Sequence, residues 1–149
     1  MNVILCDEAC KKTYKVATAV SESLNIPMCG LNETENIKDC NTLIIFGGGP
    51  QSGEISRTLD GCVKKLKTGI SKNALLVTLD SSTQHVSVAD IFNVNSGQAR
   101  VRKILEEKNI QVLGEHICLC RFRFFYLLHP NKRDITKTIE WISDRLKGK

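Results

Sequence analysis

One stretch of this sequence decides the fold, DCNTLIIFGGGP at residues 39–50. It holds an apolar, β-branched run at 42–46, followed by three consecutive glycines at 47–49. A short continuous apolar run of this kind is typical of a strand covered by helices on both faces of a parallel sheet. Glycine at the strand end lets backbone N–H groups approach a ligand, although a tight turn into a helix requires the same residues. We therefore predict a buried strand and leave both interpretations of its loop open.

Working outward, similar apolar runs occupy residues 3–5, 74–78 and 112–125, with a weaker one at 26–29. Between them, apolar residues recur every three or four positions, which is typical of one face of a helix. There are four helical patterns. The first runs through Val16, Val20 and Leu24, and the second runs through Ile55, Leu59, Val63 and Leu66. The third covers residues 98–108 after Asn95 and Ser96, and the fourth runs through Ile135, Ile139, Ile142 and Leu146. This alternation predicts an α/β fold with five parallel strands and right-handed crossovers.

Length and composition indicate a single domain covering residues 1–149, with 42% hydrophobic and 25% charged residues. No apolar run approaches the roughly 18 residues of a spanning helix, and the N-terminus lacks the layout of a signal peptide. We therefore expect a cytoplasmic protein with no membrane partner. The net charge of +5 is concentrated in the C-terminal half, where residues 76–149 hold 12 basic and 8 acidic side chains. Such an excess bears on encounters with anions rather than on the fold.

Three segments resemble the flavodoxin family, and together they span nearly the whole chain. The first is the stretch at 39–50 with the helical pattern that ends at 63–66. The second, TYKVA at 13–17, is similar to the last threonine of the family's phosphate loop and the start of its first helix. The third combines VLGE at 112–115, Cys118, Phe122 and HPNKRDI at 129–135, and is similar to the fifth strand of short flavodoxin-domain proteins and its exit into the last helix.

The resemblance implies a three-layer α/β/α flavodoxin-like fold with strands in the order 2-1-3-4-5. It also implies that FMN binds at the carboxyl ends of the strands and carries electrons to a redox partner protein, a role that needs no catalytic residue. The cofactor-binding residues that it suggests lie in three loops: Cys10, Lys11, Lys12 and Thr13; Gly47, Gly48, Gly49, Pro50 and Gln51; Ser81, Ser82 and Thr83.

The phosphate loop of this chain departs from the family pattern. Lys11 and Lys12 replace the glycine and asparagine expected before Thr13, and a carboxylate at Asp7 or Glu8 would repel an anion. The two lysines can supply charge in place of shaped hydrogen bonds, and they equally suit a solvated helix start. The loops at 47–53 and 80–84 also contain no aromatic residue to stack on a flavin ring. Two functions stay open, an FMN-dependent electron carrier and a flavin-free binding or regulatory module of the same fold.

The cysteines suggest one further hypothesis. Seven of them, an odd number spread along the chain, favour reduced thiols over a disulfide framework. Cys10 lies beside two lysines near a helix start, surroundings that lower the pKa of a thiol, so it is a candidate reactive thiolate that pairs with Cys6. Cys118 and Cys120 are expected to pack side by side on one face of a strand.

Metal and nucleic-acid sites are not predicted. The cysteines and the histidines at 85, 116 and 129 lack the spacing of a zinc site. Residues 121–126 alternate cations with aromatics, a pattern shared with single-stranded nucleic-acid binders. We interpret it instead as a strand with one wet and one buried face. The sequence leaves the oligomeric state open, a homodimer included.

Overall fold

The computed structural model describes residues 1–8, 11–47, 53–80, 99–119 and 132–148. The elements follow one another as β1 (Asn2–Cys6), α1 (Lys11–Leu24), β2 (Met28–Gly30), a 3-10 helix (Leu31–Asn36), β3 (Cys40–Gly47), α2 (Gly53–Lys65), β4 (Ser71–Asp80), α3 (helical over 99–107), β5 (Gln111–Leu119) and α4 (Lys132–Lys147). None of the described helices is long and apolar enough to cross a membrane.

The strands form one parallel sheet in the order β2-β1-β3-β4-β5, which confirms the predicted fold class and strand order. From β1 the chain adds β2 on one side and then β3 on the other, so the direction of winding reverses at the β1/β3 pair. At the carboxyl end of that pair Cys6 lies opposite Phe46.

The decisive run in β3 supplies side chains to both faces of the sheet. Leu43 and Ile45 belong to the core beneath α2 and α3, whereas Ile44 and Phe46 belong to the core beneath α1 and α4. All four are at most 1% exposed. The fully buried helix residues that meet them are Val63 and Leu105 on the first face, and Val16 and Ile142 on the second. The continuous apolar run thus has the predicted cause, helices on both sides.

Asparagine ends two of the helices. Asn25 after α1 and Asn109 after α3 have φ of 53° and 60°, the left-handed conformation that asparagine tolerates better than most residues. After α1, the Ile26 N–H donates to the Ser21 carbonyl at 3.1 Å, which satisfies a carbonyl that the helix leaves open. These turns send the chain back into β2 and β5.

The second strand lies slightly later in the chain than predicted. The sequence pattern placed it at 26–29, but β2 is Met28–Gly30 because Ile26 closes the end of α1. The polar stretch that follows, in which no helical spacing is visible, forms the 3-10 helix. The helix predicted at 98–108 is described as helical over 99–107, and the strand predicted to run to 125 is described as far as Leu119. Asn95, Ser96 and residues 120–125 lie outside the described residues.

Candidate functional site

The N-terminus of α1 and the carboxyl ends of β1, β3 and β4 meet at one edge of the sheet, which we call the switch-point edge. Its described members are residues 6–8, 11–13, 47 and 78–80. Cys6 lies opposite Phe46 and Gly47 lies opposite Thr78, so β1 and β3 end within one residue of each other and β4 continues two residues further. In doubly wound sheets, ligands bind outside the carboxyl ends of the strands where the winding reverses. This edge is therefore the candidate functional site.

The first turn of α1 carries the cationic part of this edge. Lys11 is exposed, Lys12 is half-buried and Thr13 is 1% exposed. That turn contains no acidic residue. The first N–H groups of a helix have no partner within it, and the helix dipole adds a partial positive charge there. The structure thus brings three predicted phosphate-loop residues together at an N-terminus suited to an anion, while Cys10 lies outside the described residues.

The Glu8 carboxylate lies at the end of β2. Its Oε1 atom is 2.9 Å from the position that a Cβ on Gly30 would take, so Gly30 leaves room for this side chain. The same carboxylate affects a neighbouring thiol: burial, then Glu33, then Glu8 raise the pKa of Cys29. Glu8, expected from the sequence to repel an anion at the phosphate loop, thus lies beside β2 and is exposed to solvent.

Asp7 acts on a thiol of α2. Burial raises the pKa of Cys62 in α2, Lys65 lowers it and Asp7 raises it. The Cys62 thiol donates to the Leu31 carbonyl at 3.4 Å and is buried. The two carboxylates of the β1–α1 turn therefore act on β2 and α2.

The described thiols at this end of the molecule are poor nucleophiles. Cys6 is 1% exposed and its thiol points at the Asp7 carbonyl, 3.7 Å away. Cys29 and Cys62 both have a raised pKa, which keeps them protonated at neutral pH. The reactive-thiol hypothesis rests on Cys10, outside the described residues. In β5, Cys118 is buried as expected, and burial is the largest cause of its raised pKa; Cys120 also lies outside the described residues.

Gly47, at the end of β3, lies close to α2. A Cβ at this position would lie 3.1 Å from Cδ2 of Leu59 in α2, closer than an ordinary contact between carbons. The glycine therefore has a structural reason to be there, whatever its loop binds. The other predicted residues of this loop and the next lie outside the described residues: Gly48, Gly49, Pro50, Gln51, Ser81, Ser82 and Thr83.

Sequence reasoning missed Thr78, whose side chain is 7% exposed at the end of β4. The available signal was a hydroxyl at the end of the apolar run 74–78. Of the three histidines only His116 is described, and it faces α4 rather than the site. Within the described ranges, no three His, Cys, Asp or Glu side chains are grouped so that they could hold a metal ion.

No family model and no curated protein matches this chain in sequence. Solved structures do match it in shape. The Fusobacterium nucleatum flavodoxin bound to flavin mononucleotide superposes with a TM-score of 0.64 and 16% identity, over 99% of this chain and 97% of that one. A lysine-to-glycine mutant of that flavodoxin, also bound to flavin mononucleotide, gives 0.59 and 16%, over 99% and 95%.

A short-chain flavodoxin associated with a bacterial microcompartment gives a TM-score of 0.63 at 11% identity, over 99% of this chain and 96% of that one. At such low identities the likeness bears on shape. It confirms that this chain has a flavodoxin-like fold along nearly its whole length.

Proposed function

We propose that this protein binds FMN at the switch-point edge and serves as an electron carrier. One observation carries the proposal: the first turn of α1, cationic and free of acids, lies beside the β1/β3 reversal of a flavodoxin-like sheet. In flavodoxins, which have this strand order, FMN is held at that point. The Fusobacterium nucleatum flavodoxin, which has the same fold, was solved with flavin mononucleotide bound.

The described residues fit a phosphate group. The backbone N–H groups at the start of α1 point along the helix axis toward the edge, and the helix dipole favours an anion there. Lys11 and Lys12 add two full positive charges that a hydroxyl-lined turn lacks. Because Lys12 is half-buried, its charge is less screened by salt than that of exposed Lys11. We assign Lys12 the larger share of the phosphate attraction.

When bound, FMN would supply the electron-transfer chemistry through its isoalloxazine ring. The chain's own contribution is to hold the phosphate through residues 10–13 and to border the ring with the backbone of residues 47–51 and the hydroxyls of residues 81–83. No proton donor or nucleophile is needed for that role. Packing of Leu59 against Gly47 keeps the end of β3 in a fixed position relative to α2.

The experiment is a titration of the purified protein with FMN and, separately, with riboflavin, which lacks the phosphate. Flavin fluorescence and the visible spectrum after desalting report binding. We expect about one FMN per chain, with riboflavin bound at least about tenfold more weakly, a difference of about 1.4 kcal/mol. A colourless protein that fails to quench FMN fluorescence at micromolar concentration would overturn the proposal and leave the flavin-free module.

Two variants locate the phosphate. Lys12→Gln should weaken FMN binding about tenfold and leave riboflavin binding unchanged, because only the phosphate meets the lysine. Lys15→Gln is the matched control, since Lys15 is an exposed lysine one turn further along the same helix. Equal losses for FMN and riboflavin in Lys12→Gln would show that the phosphate lies elsewhere.

A further inference from the structure

Six basic side chains surround the N-termini of α1 and α4, and we call them the cationic patch: Lys11, Lys12, Lys15, Lys132, Arg133 and Lys137. The two helices follow the carboxyl ends of parallel strands, cover the same face of the sheet and pack against each other. Their N-termini therefore lie at the same edge, next to the site proposed for FMN. The two halves of the patch are more than a hundred residues apart in sequence.

The patch presents positive charge to solvent. Five of its six side chains are exposed and Lys12 is half-buried. In these stretches, 11–21 and 132–139, the only acid is Asp134, which is 4% exposed. Glu8, the nearest acid in sequence to α1, lies beside Gly30 and is itself exposed. Exposed Glu8 and Glu140 flank these stretches in sequence, so the six bases keep a net excess of positive charge.

This arrangement does not favour the fold. Cations near a helix N-terminus oppose the helix dipole. The α1 helix has no acid in its first turn and no base in its last, the reverse of a stabilising pattern. Lys11 and Lys15, like Arg133 and Lys137, are four residues apart, a spacing at which like charges repel. In α1 both effects act against helix stability, whereas α4 has Asp134 in its first turn and Arg145 and Lys147 in its last. The exposed bases at the two N-termini are suited to an external anion.

We propose that the cationic patch docks an acidic protein, the redox partner of the carrier, beside the flavin. The inference rests on the proposed function, because an electron carrier must bring its cofactor close to a redox group on another protein. Charge complementarity selects a partner that presents a cluster of carboxylates. At low salt, opposite charges also steer the encounter of the two proteins and raise the association rate by about tenfold or more.

The test compares two charge-reversal double variants of the full chain. The patch double is Arg133→Glu with Lys137→Glu. The control double is Lys67→Glu with Lys72→Glu, which alters two exposed lysines near the amino end of β4, at the opposite edge of the sheet. Both doubles change the net charge equally, and neither touches a residue assigned to FMN. A glutamate in the first turn of α4 suits the helix dipole, so the patch double should fold.

The probe is a fluorescently labelled acidic [2Fe–2S] ferredoxin, titrated against each protein by anisotropy with and without FMN. Reduction of the FMN-loaded proteins by the same ferredoxin, reduced beforehand with dithionite and freed of excess reductant, is followed by stopped flow. We expect the patch double to lose about tenfold or more in affinity and in second-order rate. The control double should change less than about threefold, and the wild-type rate should fall as ionic strength rises, since salt screens exposed charges.

Equal losses in the two doubles would overturn the inference, because net charge alone would explain them. A labelled single-stranded oligonucleotide that binds the patch more tightly than ferredoxin at the same salt would also overturn it, in favour of a nucleic-acid site. FMN loading is measured first and separately. A protein that takes up no FMN but still binds ferredoxin through the patch would refute the electron-carrier function and support the docking surface.

Discussion

At the scale of single residues, ring stacking and a hydrogen bond join β5 to α4. His116 stacks on Trp141 with ring centroids 5.0 Å apart, and the Arg145 guanidinium lies 5.5 Å from the Trp141 ring centre. The Thr138 hydroxyl donates to the Asp134 carbonyl at 3.0 Å, so its oxygen accepts from His116 Nε2 at 3.1 Å. That assignment places the proton of neutral His116 on Nε2. A second proton would put another cation against a stack that already contains Arg145.

This geometry predicts a pH-dependent stability. Burial lowers the pKa of His116 below its usual 6.5, so the unfolded chain takes up this proton at a higher pH than the folded chain. Neutral His116 therefore makes its full contribution to the free energy of unfolding above about pH 6.5. It falls as the pH drops toward the folded-state pKa, below which it stays constant. Urea unfolding between about pH 5 and 8 measures this slope.

The controls for the pH prediction are substitutions at the three histidines. His116→Gln should flatten the slope, whereas the His85→Gln/His129→Gln double variant should keep it. A slope that survives His116→Gln and disappears in the double variant would contradict the assignment.

The surroundings of two glycines, Gly114 and Gly61, lead to a second prediction at the residue scale. A Cβ on Gly114 would lie 3.0 Å from Cζ2 of Trp141, whose ring the His116 stack holds in place, whereas a Cβ on Gly61 in α2 meets no atom within 4 Å. Gly114→Ala should lower the free energy of unfolding by about 1–3 kcal/mol through overpacking. Gly61→Ala should raise it by about 0.5–1 kcal/mol, because alanine is the better helix former. If the urea midpoints of the two variants moved in the same direction, this pair of predictions would be refuted.

At the scale of elements, α3 is attached to its neighbours in two ways. On the surface, Arg100 pairs with Asp60 of α2 at 3.1 Å and Arg102 pairs with Glu115 of β5 at 2.8 Å. Beneath them, Leu105 is fully buried in the core under α2 and α3. The arginine side chains are 54% and 42% exposed, so solvent screens both ion pairs.

We expect the apolar contact to dominate the attachment of α3. Leu105→Ala should cost about 2–5 kcal/mol, since it leaves a cavity in the core. Arg102→Ala should cost at most about 1 kcal/mol, the usual upper value for an exposed ion pair. Thermal or urea unfolding of the two variants provides the comparison. Similar losses from both substitutions would mean that the ion pair is far stronger than its exposure allows.

At the scale of the whole molecule, the two cores share one sheet. Ile44 and Ile45, neighbours in β3, lie in opposite cores, so neither core can be lost without exposing the strands that support the other. We therefore expect residues 1–149 to unfold in a single cooperative transition, which would support the single-domain prediction.

Trp141 provides a probe of the core beneath α1 and α4, and it is the only tryptophan in the sequence. Its fluorescence and the far-UV circular dichroism should give coincident urea transitions. Two separated transitions would instead reveal two independently folding units.

Much of this architecture could be predicted because it depends on local pattern. The run at 42–46 indicates burial on both faces by composition alone, and the helical spacing of Val16 and Val20 identifies the face of α1 that packs on the sheet. The strand order followed from the family resemblance alone. The 3-10 helix at Leu31–Asn36 was not predicted, because its few apolar residues show no periodic spacing.

The sequence alone determined which side chains are apolar, where the glycines interrupt them, and which face of the pattern through Val16 and Val20 is buried. Only the tertiary structure decided that Glu8 lies beside Gly30 and that His116 meets Trp141. It also decided that Lys15 and Lys137 belong to one patch. Periodicity reports the environment on one face of one element, because it arises from the geometry of that element. Contacts between elements depend on how the strands cross and the helices pack, which residue spacing does not encode.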